Sequence, residues 1–233
     1  MVQVINNIML LQKYKNLWDK SNAVVLDNLL TEEAANEMWE YYNSQPNDYW
    51  DLAIYPDNKK DYDDGGYPLY RCKSNDESIE ERVKYTRECN SNGIFSYLYK
   101  RTEDFHPNLS IFETPEFISA IEFITGIQNL QFDWKNTFVT CYEEGHFNGP
   151  HTDGTNGRLA FVFHLSKDWK VWDGGLFIRM DNDWKTADKI IVPDFNKLAM
   201  FNVFGDGYGA PHLVSEVALG CNKKRISFTG WYK

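Results

Sequence analysis

The run PHTDGTNGRLAFVFHL, Pro150 to Leu165, sets a histidine, one spacer and an aspartate ahead of a strongly apolar stretch with strand-forming residues. Working outward from it, the C-terminal half is a series of short apolar or alternating runs bounded by Gly, Asp, Asn and Pro. They are NTFVTCY (136–142), RLAFVFHL (158–165), GGLFIRM (174–180), KIIVP (189–193), KLAMFNVF (197–204), HLVSEVA (212–218) and RISFTGWY (225–232). Seven such runs predict an all-β sandwich or barrel there. Upstream, AVVLDNLL reads as a short strand leading into the amphipathic helix TEEAANEMWEYYNSQ, with Thr31 as cap and Glu32 and Glu33 at the positive end of its dipole. A second helix is written in TPEFISAIEFITG: Thr114 as cap, Pro115 in the first turn, Gly126 as stop, and Phe117, Ile118, Ile121 and Ile124 facing a sheet. Helices first and strands later make the fold class α+β, mainly β. The stretch from Asp51 to Gly93 is polar and Tyr-rich, and reads either as an excursion that partly covers a site or as a solvated insertion.

The 233 residues suit a single domain, 1–233, with 1–135 as helical support and variable loops and 136–233 as the β core. A hydrophobic fraction of 42% is enough for a folded globular chain. The net charge of −10 argues against nucleic-acid binding. No apolar run has the length of a membrane span, and the N-terminus, broken by Asn and Lys, does not read as a secretory signal. Cys72, Cys89, Cys141 and Cys221 form no CxxC pair and read as reduced thiols, which makes the cytoplasm the expected compartment.

His151 and Asp153 project to one side of an extended segment and can converge on an ion. His212 opens the strand HLVSEVA after a Gly-rich turn and is the best placed third ligand, whereas His106 and His146 read as hydrogen-bonded or surface residues. Two imidazoles and a carboxylate form the facial triad that leaves positions open on Fe(II). In RISFTGWY, Arg225, Ser227 and Thr229 share a face opposite Ile226, Phe228 and Gly230. An arginine facing the inside of a small barrel is costly unless it meets an anion, so it calls for an anionic cosubstrate or an internal carboxylate.

The ordered motifs CYEEGHFNGPHTD, LSKDWKVWDGGLF, PHLVSEV and RISFTGWY, from about Asn136 to the C-terminus, resemble the Fe(II)- and 2-oxoglutarate-dependent dioxygenases of the prolyl-hydroxylase-like branch. The resemblance implies a double-stranded β-helix, a distorted jelly roll with N-terminal helices packed on one sheet. It implies Fe(II), 2-oxoglutarate and O2, with ascorbate as a reductant. It matches His151, Asp153 and His212 to the iron ligands, and Arg225 with Ser227 to the site of the distal carboxylate of 2-oxoglutarate. Tyr142 matches a tyrosine that hydrogen-bonds the cosubstrate. His164 stands where some relatives have a tyrosine reaching the same carboxylate, and either donates to it or is a satisfied core histidine. If His164 faces inward, alternation brings Arg158 to the barrel mouth, and Thr140 and Phe138 join Tyr142 on the pocket wall. Gly174 and Gly175 form a tight turn with no phosphate-binding role.

The implied reaction is hydroxylation of an unactivated C–H bond with release of succinate and CO2. The expected substrate is a prolyl residue in a protein or peptide, the alternative a small molecule such as a free amino acid. Two other classes compete: a zinc hydrolase on the same ligands, which needs a base and leaves Arg225 unexplained, and a non-catalytic jelly-roll binding protein, which has little reason to keep triad and arginine together.

Overall fold

The structure, a computed structural model, describes residues 8–56, 70–72, 79–154, 156–203 and 210–233. In chain order the elements are α1 (Ile8–Ser21), β1 (Ala23–Leu26), α2 (Glu32–Asn43), β2 (Asp51–Tyr55), β3 (Tyr70–Cys72), α3 (Ile79–Ser91), β4 (Tyr97–Thr102) and α4 (Pro115–Thr125). There follow β5 (Phe138–Tyr142), β6 (Phe147–His151), β7 (Leu159–His164), β8 (Phe177–Met180), β9 (Ala187–Ile191), β10 (Lys197–Asn202), β11 (His212–Val214) and β12 (Arg225–Tyr232).

Strands β5 to β12 form two antiparallel ladders, β5-β12-β7-β10 and β6-β11-β8-β9. The chain passes back and forth between the ladders as it advances, which is the double-stranded β-helix. β1 extends the first ladder beyond β10. β4 clasps both, pairing Lys100 with Cys141 of β5 and Tyr97 with Asn148 of β6, while its other edge takes β2.

Alternation along the strands assigns their faces. Phe161 and Phe163 of β7, Ile226 and Phe228 of β12, and Leu198 and Met200 of β10 turn outward to a core closed by Tyr14 and Trp18 of α1, Met38 and Tyr42 of α2, and Phe117, Ile121 and Ile124 of α4. Phe112, just before α4, lies at 5.0 Å centroid distance from both Phe161 and Phe228. The opposite face, with Ala160, Val162, Ala199, Phe201 and Trp231, lines the barrel interior. All helices of the main core thus lie on one sheet and leave the other face for a site.

Both anticipated helices carry the expected caps. Thr31 accepts from Ala34 N–H and Thr114 from Phe117 N–H, Pro115 opens α4, and Gly126 closes it at φ 73°. Thr114→Ala is expected to cost about 1 kcal/mol and lower the melting temperature by a few degrees, read in a thermal melt.

The stretch from Asp51 to Gly93 differs from its reading as a polar excursion. It holds β2, β3 and α3, and Ala53 and Ile54 of β2 are fully buried. DLAIY is too short to show a period among its polar neighbours, and its burial comes from pairing with β4. Residues 57–69 and 73–78, where a cover over the site would fall, lie outside the described residues, as does most of the Gly-rich turn before His212. α1 and β4 also occur where no element was expected, so the support region supplies further strands as well as helices, and in the core the extended segment before Asp153 is a full strand, β6. Cys89 and Cys141 are buried free thiols and Cys221 is a partly buried one. No described helix is long and apolar enough to cross a membrane.

Candidate metal centre and cosubstrate pocket

β6 and β11 are antiparallel neighbours in which His151 stands opposite His212, and their rings lie 4.3 Å apart between centroids. Asp153, two residues past His151, reaches both: Oδ1 lies 3.7 Å from His151 Nε2 and Oδ2 lies 3.6 Å from His212 Nε2. One ligand atom from each of the three lies within 4.8 Å of the other two. Each imidazole is oriented from behind. Nδ1 of His151 is 2.8 Å from the Gly149 carbonyl oxygen, and Nδ1 of His212 is 2.8 Å from that of Ala210. A carbonyl only accepts, so each Nδ1 carries the proton and each Nε2 presents its lone pair toward Asp153. Burial, followed by the neighbouring His212, pushes His151 down to about 4 despite Asp153, so the ring is neutral at pH 7. Two imidazoles and a carboxylate held this close are a donor set for a first-row divalent metal.

The cluster opens into a cavity of about 810 Å³ inside the barrel. At its inner end Arg225, 1% exposed, donates Nε–H to the Gly175 carbonyl at 2.7 Å and Nη1–H to Ser227 Oγ at 3.0 Å. Its Nη2 is buried with no hydrogen-bond partner. Burial pushes the guanidinium down to about 10, and only the Tyr142 ring, 4.8 Å away, opposes this. The internal salt bridge that could have explained the arginine is absent among the described residues. The Gly174–Gly175 turn makes the approach possible: both have positive φ, and a Cβ on Gly174 would stand 2.1 Å from the Glu216 carbonyl oxygen. Ser227 Oγ is held 2.8 Å from Thr140 Oγ1, and burial raises the Tyr142 hydroxyl well above its usual range.

The structure thus brings together His151, Asp153, His212, Arg225, Tyr142, Thr140 and Phe138 around one cavity, with Ser227 behind Arg225. Arg158 is a correction. Its backbone still bonds Tyr232 and Val203 at the start of β7, but its exposed side chain turns away and donates Nη1–H to the Gln128 carbonyl instead of reaching the cavity. His164, opposite Ser227 across β7 and β12, is fully buried, and neither ring nitrogen has a partner, so it is not a satisfied core histidine. Burial and the charge of Arg225 hold it well below its normal pKa. It stands outside the residues that line the cavity.

Sequence reasoning missed the wall supplied by β4. Tyr97, Tyr99 and Arg101 all face the cavity, Tyr99 stacks on Tyr142 at 5.1 Å, and Arg101 lies 3.8 Å from the Phe138 ring while pairing with Glu103. The signal was the period of two in YLYKRT. Asp153 and Glu103 are the carboxylates among the described lining residues, and Glu103 is engaged by Arg101, so the described lining offers no free carboxylate base of the kind a zinc hydrolase needs.

Residues 137–233 match the profile of the 2OG-Fe(II) oxygenase superfamily. No curated protein sequence matches the chain. Among solved structures it is similar to a prolyl-4-hydroxylase from Pseudomonas putida, at 13% identity and TM-score 0.52 over 96% of this chain and 98% of that one. It is also similar to an oxidoreductase of the 2OG-Fe(II) oxygenase family from Burkholderia pseudomallei, at 12% identity and TM-score 0.55 over 96% and 89%. A third is SnoN, a non-heme α-ketoglutarate-dependent epimerase from nogalamycin biosynthesis, at 10% identity and TM-score 0.55 over 97% and 83%. At these identities the likeness is one of fold. Residues 137–233, the double-stranded β-helix with its His-Asp-His cluster, are similar to the 2OG-Fe(II) oxygenase superfamily, a likeness that implies Fe(II), 2-oxoglutarate and O2.

Proposed function

We propose that the protein is a 2-oxoglutarate-dependent hydroxylase in which His151, Asp153 and His212 hold Fe(II), Arg225, Ser227, Tyr142 and His164 receive 2-oxoglutarate, and a prolyl residue of a peptide or protein is the substrate. The observation that carries the reading is Arg225: a buried cation with an unpartnered N–H and no carboxylate, at the end of the cavity that holds the triad. An unpaired buried charge is costly in the free protein, and the anionic end of an oxoacid removes that cost.

Bound Fe(II) supplies the activation of O2, coupled to oxidative decarboxylation of the oxoacid, that oxidises a C–H bond. The chain supplies position. Arg225 offers Nη2–H to the distal carboxylate, and the ordered Ser227 hydroxyl and the Tyr142 ring fix its plane. His164, outside the cavity lining but neutral through burial and unpartnered at both ring nitrogens, backs this end of the site from the strand opposite Ser227. Thr140 and Phe138, with the β4 rings, limit water around the reacting end. The prolyl assignment draws on the runs LSKDWKVWDGGLF and RISFTGWY and on the fold shared with the Pseudomonas putida enzyme. The second reading, a small molecule, draws on SnoN, whose fold is shared and which belongs to nogalamycin biosynthesis.

Anaerobic protein loaded with Fe(II) is expected to develop a visible charge-transfer band on addition of 2-oxoglutarate, and His151→Ala to lose it. No band at any iron loading overturns the assignment. Mass spectrometry of proline-containing peptides for oxygen addition, with succinate release measured alongside, separates the two substrate readings.

A further inference from the structure

A polar group in the cavity wall is used neither by the triad nor by the cosubstrate site. Asn148 of β6 lines the cavity, and its Oδ1 is buried with no hydrogen-bond partner. Buried acceptors in folded proteins are normally satisfied, and leaving one unmade costs folding free energy. An open acceptor inside a cavity marks the place of a ligand donor.

The strand register says where this acceptor stands. Between β6 and β11, His151 faces His212 and Asn148 faces Val214, so β6 spends three residues where β11 spends two. The extra residue is a bulge, and it keeps Asn148 on the interior side together with His151. Two residues of β11 separate the positions, about 7 Å along the strand. Across β4, Asn148 faces Tyr97, whose ring belongs to the aromatic wall. The carboxamide therefore sits one short step from the reacting centre, against rings that suit an apolar side chain. A second unpartnered group, Nε1 of Trp231, is a donor in the same cavity wall, and Trp231 is 6% exposed. An acceptor and a donor waiting in one cavity match a group that carries both N–H and C=O.

We infer that Asn148 is a specificity-determining residue that reads an amide of the substrate, accepting its N–H at Oδ1 beside the His151–Asp153–His212 centre, and that the substrate class is amide-linked rather than a free amino acid. The inference rests on the proposed function in taking that triad as the reacting centre. It names the feature by which a peptidyl substrate is told from a free one, and it does not depend on the residue being proline.

The test uses iron-loaded protein with 2-oxoglutarate under anaerobic conditions and two neutral probes, N-acetylproline N-methylamide and N-acetylalanine N-methylamide, beside free L-proline. Binding is followed by saturation-transfer NMR. Wild type is expected to bind at least one blocked probe more tightly than free L-proline. Asn148→Ala weakens it about tenfold, the worth of one hydrogen bond with a group left unpaired, while the iron–oxoacid band stays intact. The band shows that the variant is folded and its centre assembled; if Asn148→Ala loses it, Asn148→Ser is used in its place. Asn148→Asp, which keeps an acceptor, retains part of the affinity. Equal binding by wild type and variant, tighter binding of free L-proline, or no binding of either blocked probe overturns the inference. Binding of the alanine probe lost in the variant, with no oxygen added to any prolyl peptide in air, supports it and refutes only the prolyl reading.

Discussion

Arg225→Met is expected to weaken 2-oxoglutarate binding by roughly 10²- to 10³-fold while making the ligand-free protein more stable. The two effects share one cause. The guanidinium is fully buried among Gly175, Ser227 and Tyr142 with Nη2 unpartnered, and burial pushes its pKa down to about 10. A base whose pKa falls on folding opposes folding wherever it is charged. Here the penalty is constant below pH 10, fades only as the pH rises above it, and is on the order of 3 kcal/mol. A methionine of similar length removes the charge and keeps most of the packing. Calorimetric titration with 2-oxoglutarate, beside thermal melts with and without it, measures both halves. A variant that binds the oxoacid like wild type refutes the cosubstrate site, and one that loses both binding and stability shows that Arg225 is mainly structural.

Acid is expected to unfold the protein well above the pH at which carboxylates alone would do so. His146 accepts the Glu143 N–H at Nδ1, a bond that only the neutral ring can make, and burial pushes it down to about 4. His164 is lowered as well, by burial and by Arg225. In the unfolded chain both protonate near 6.5, so between there and pH 4 the unfolded state binds more protons and stability falls as the pH falls. A ring lowered in this way contributes up to about 1.4 kcal/mol per pH unit, and His146 alone removes on the order of 2–3 kcal/mol by pH 4.5, with His164 adding in the same direction. That is a large share of the whole stability of many domains. Urea melts from pH 7 to 4.5 measure the slope, which His146→Gln and His164→Phe should each flatten. An unchanged slope in both variants places the acid sensitivity elsewhere.

What the sequence disclosed and what it hid follow from the range of the signals. Seven of the eight strands after Asn136 announce themselves because each is a short apolar or alternating run bounded by turn residues, and the faces of β12 follow from Arg225, Ser227 and Thr229 alone. The meeting of His151 with His212 was legible because a strand start and an HxD spacing are both local. β2 and β4 were not, because DLAIY and YLYKRT are short runs in polar surroundings that owe their burial to pairing with each other and with β5 and β6. Arg158 was misplaced because alternation says nothing of where a long side chain at the start of a strand finds its partner, here the Gln128 carbonyl outside the barrel. Asn148 escaped notice because its inward direction depends on a bulge, a relation between two strands that neither displays alone.

The backbone bonds behind His151 and His212 have a consequence for supply. With both rings aimed by the carbonyls of Gly149 and Ala210 before any ion arrives, metal entry demands little rearrangement. A nest so ready cannot be choosy: zinc and copper hold nitrogen and oxygen donors more tightly than ferrous iron. The metal found in a given preparation will therefore record the medium in which the cells grew, and a batch raised on zinc will be well folded, heat-resistant and inert.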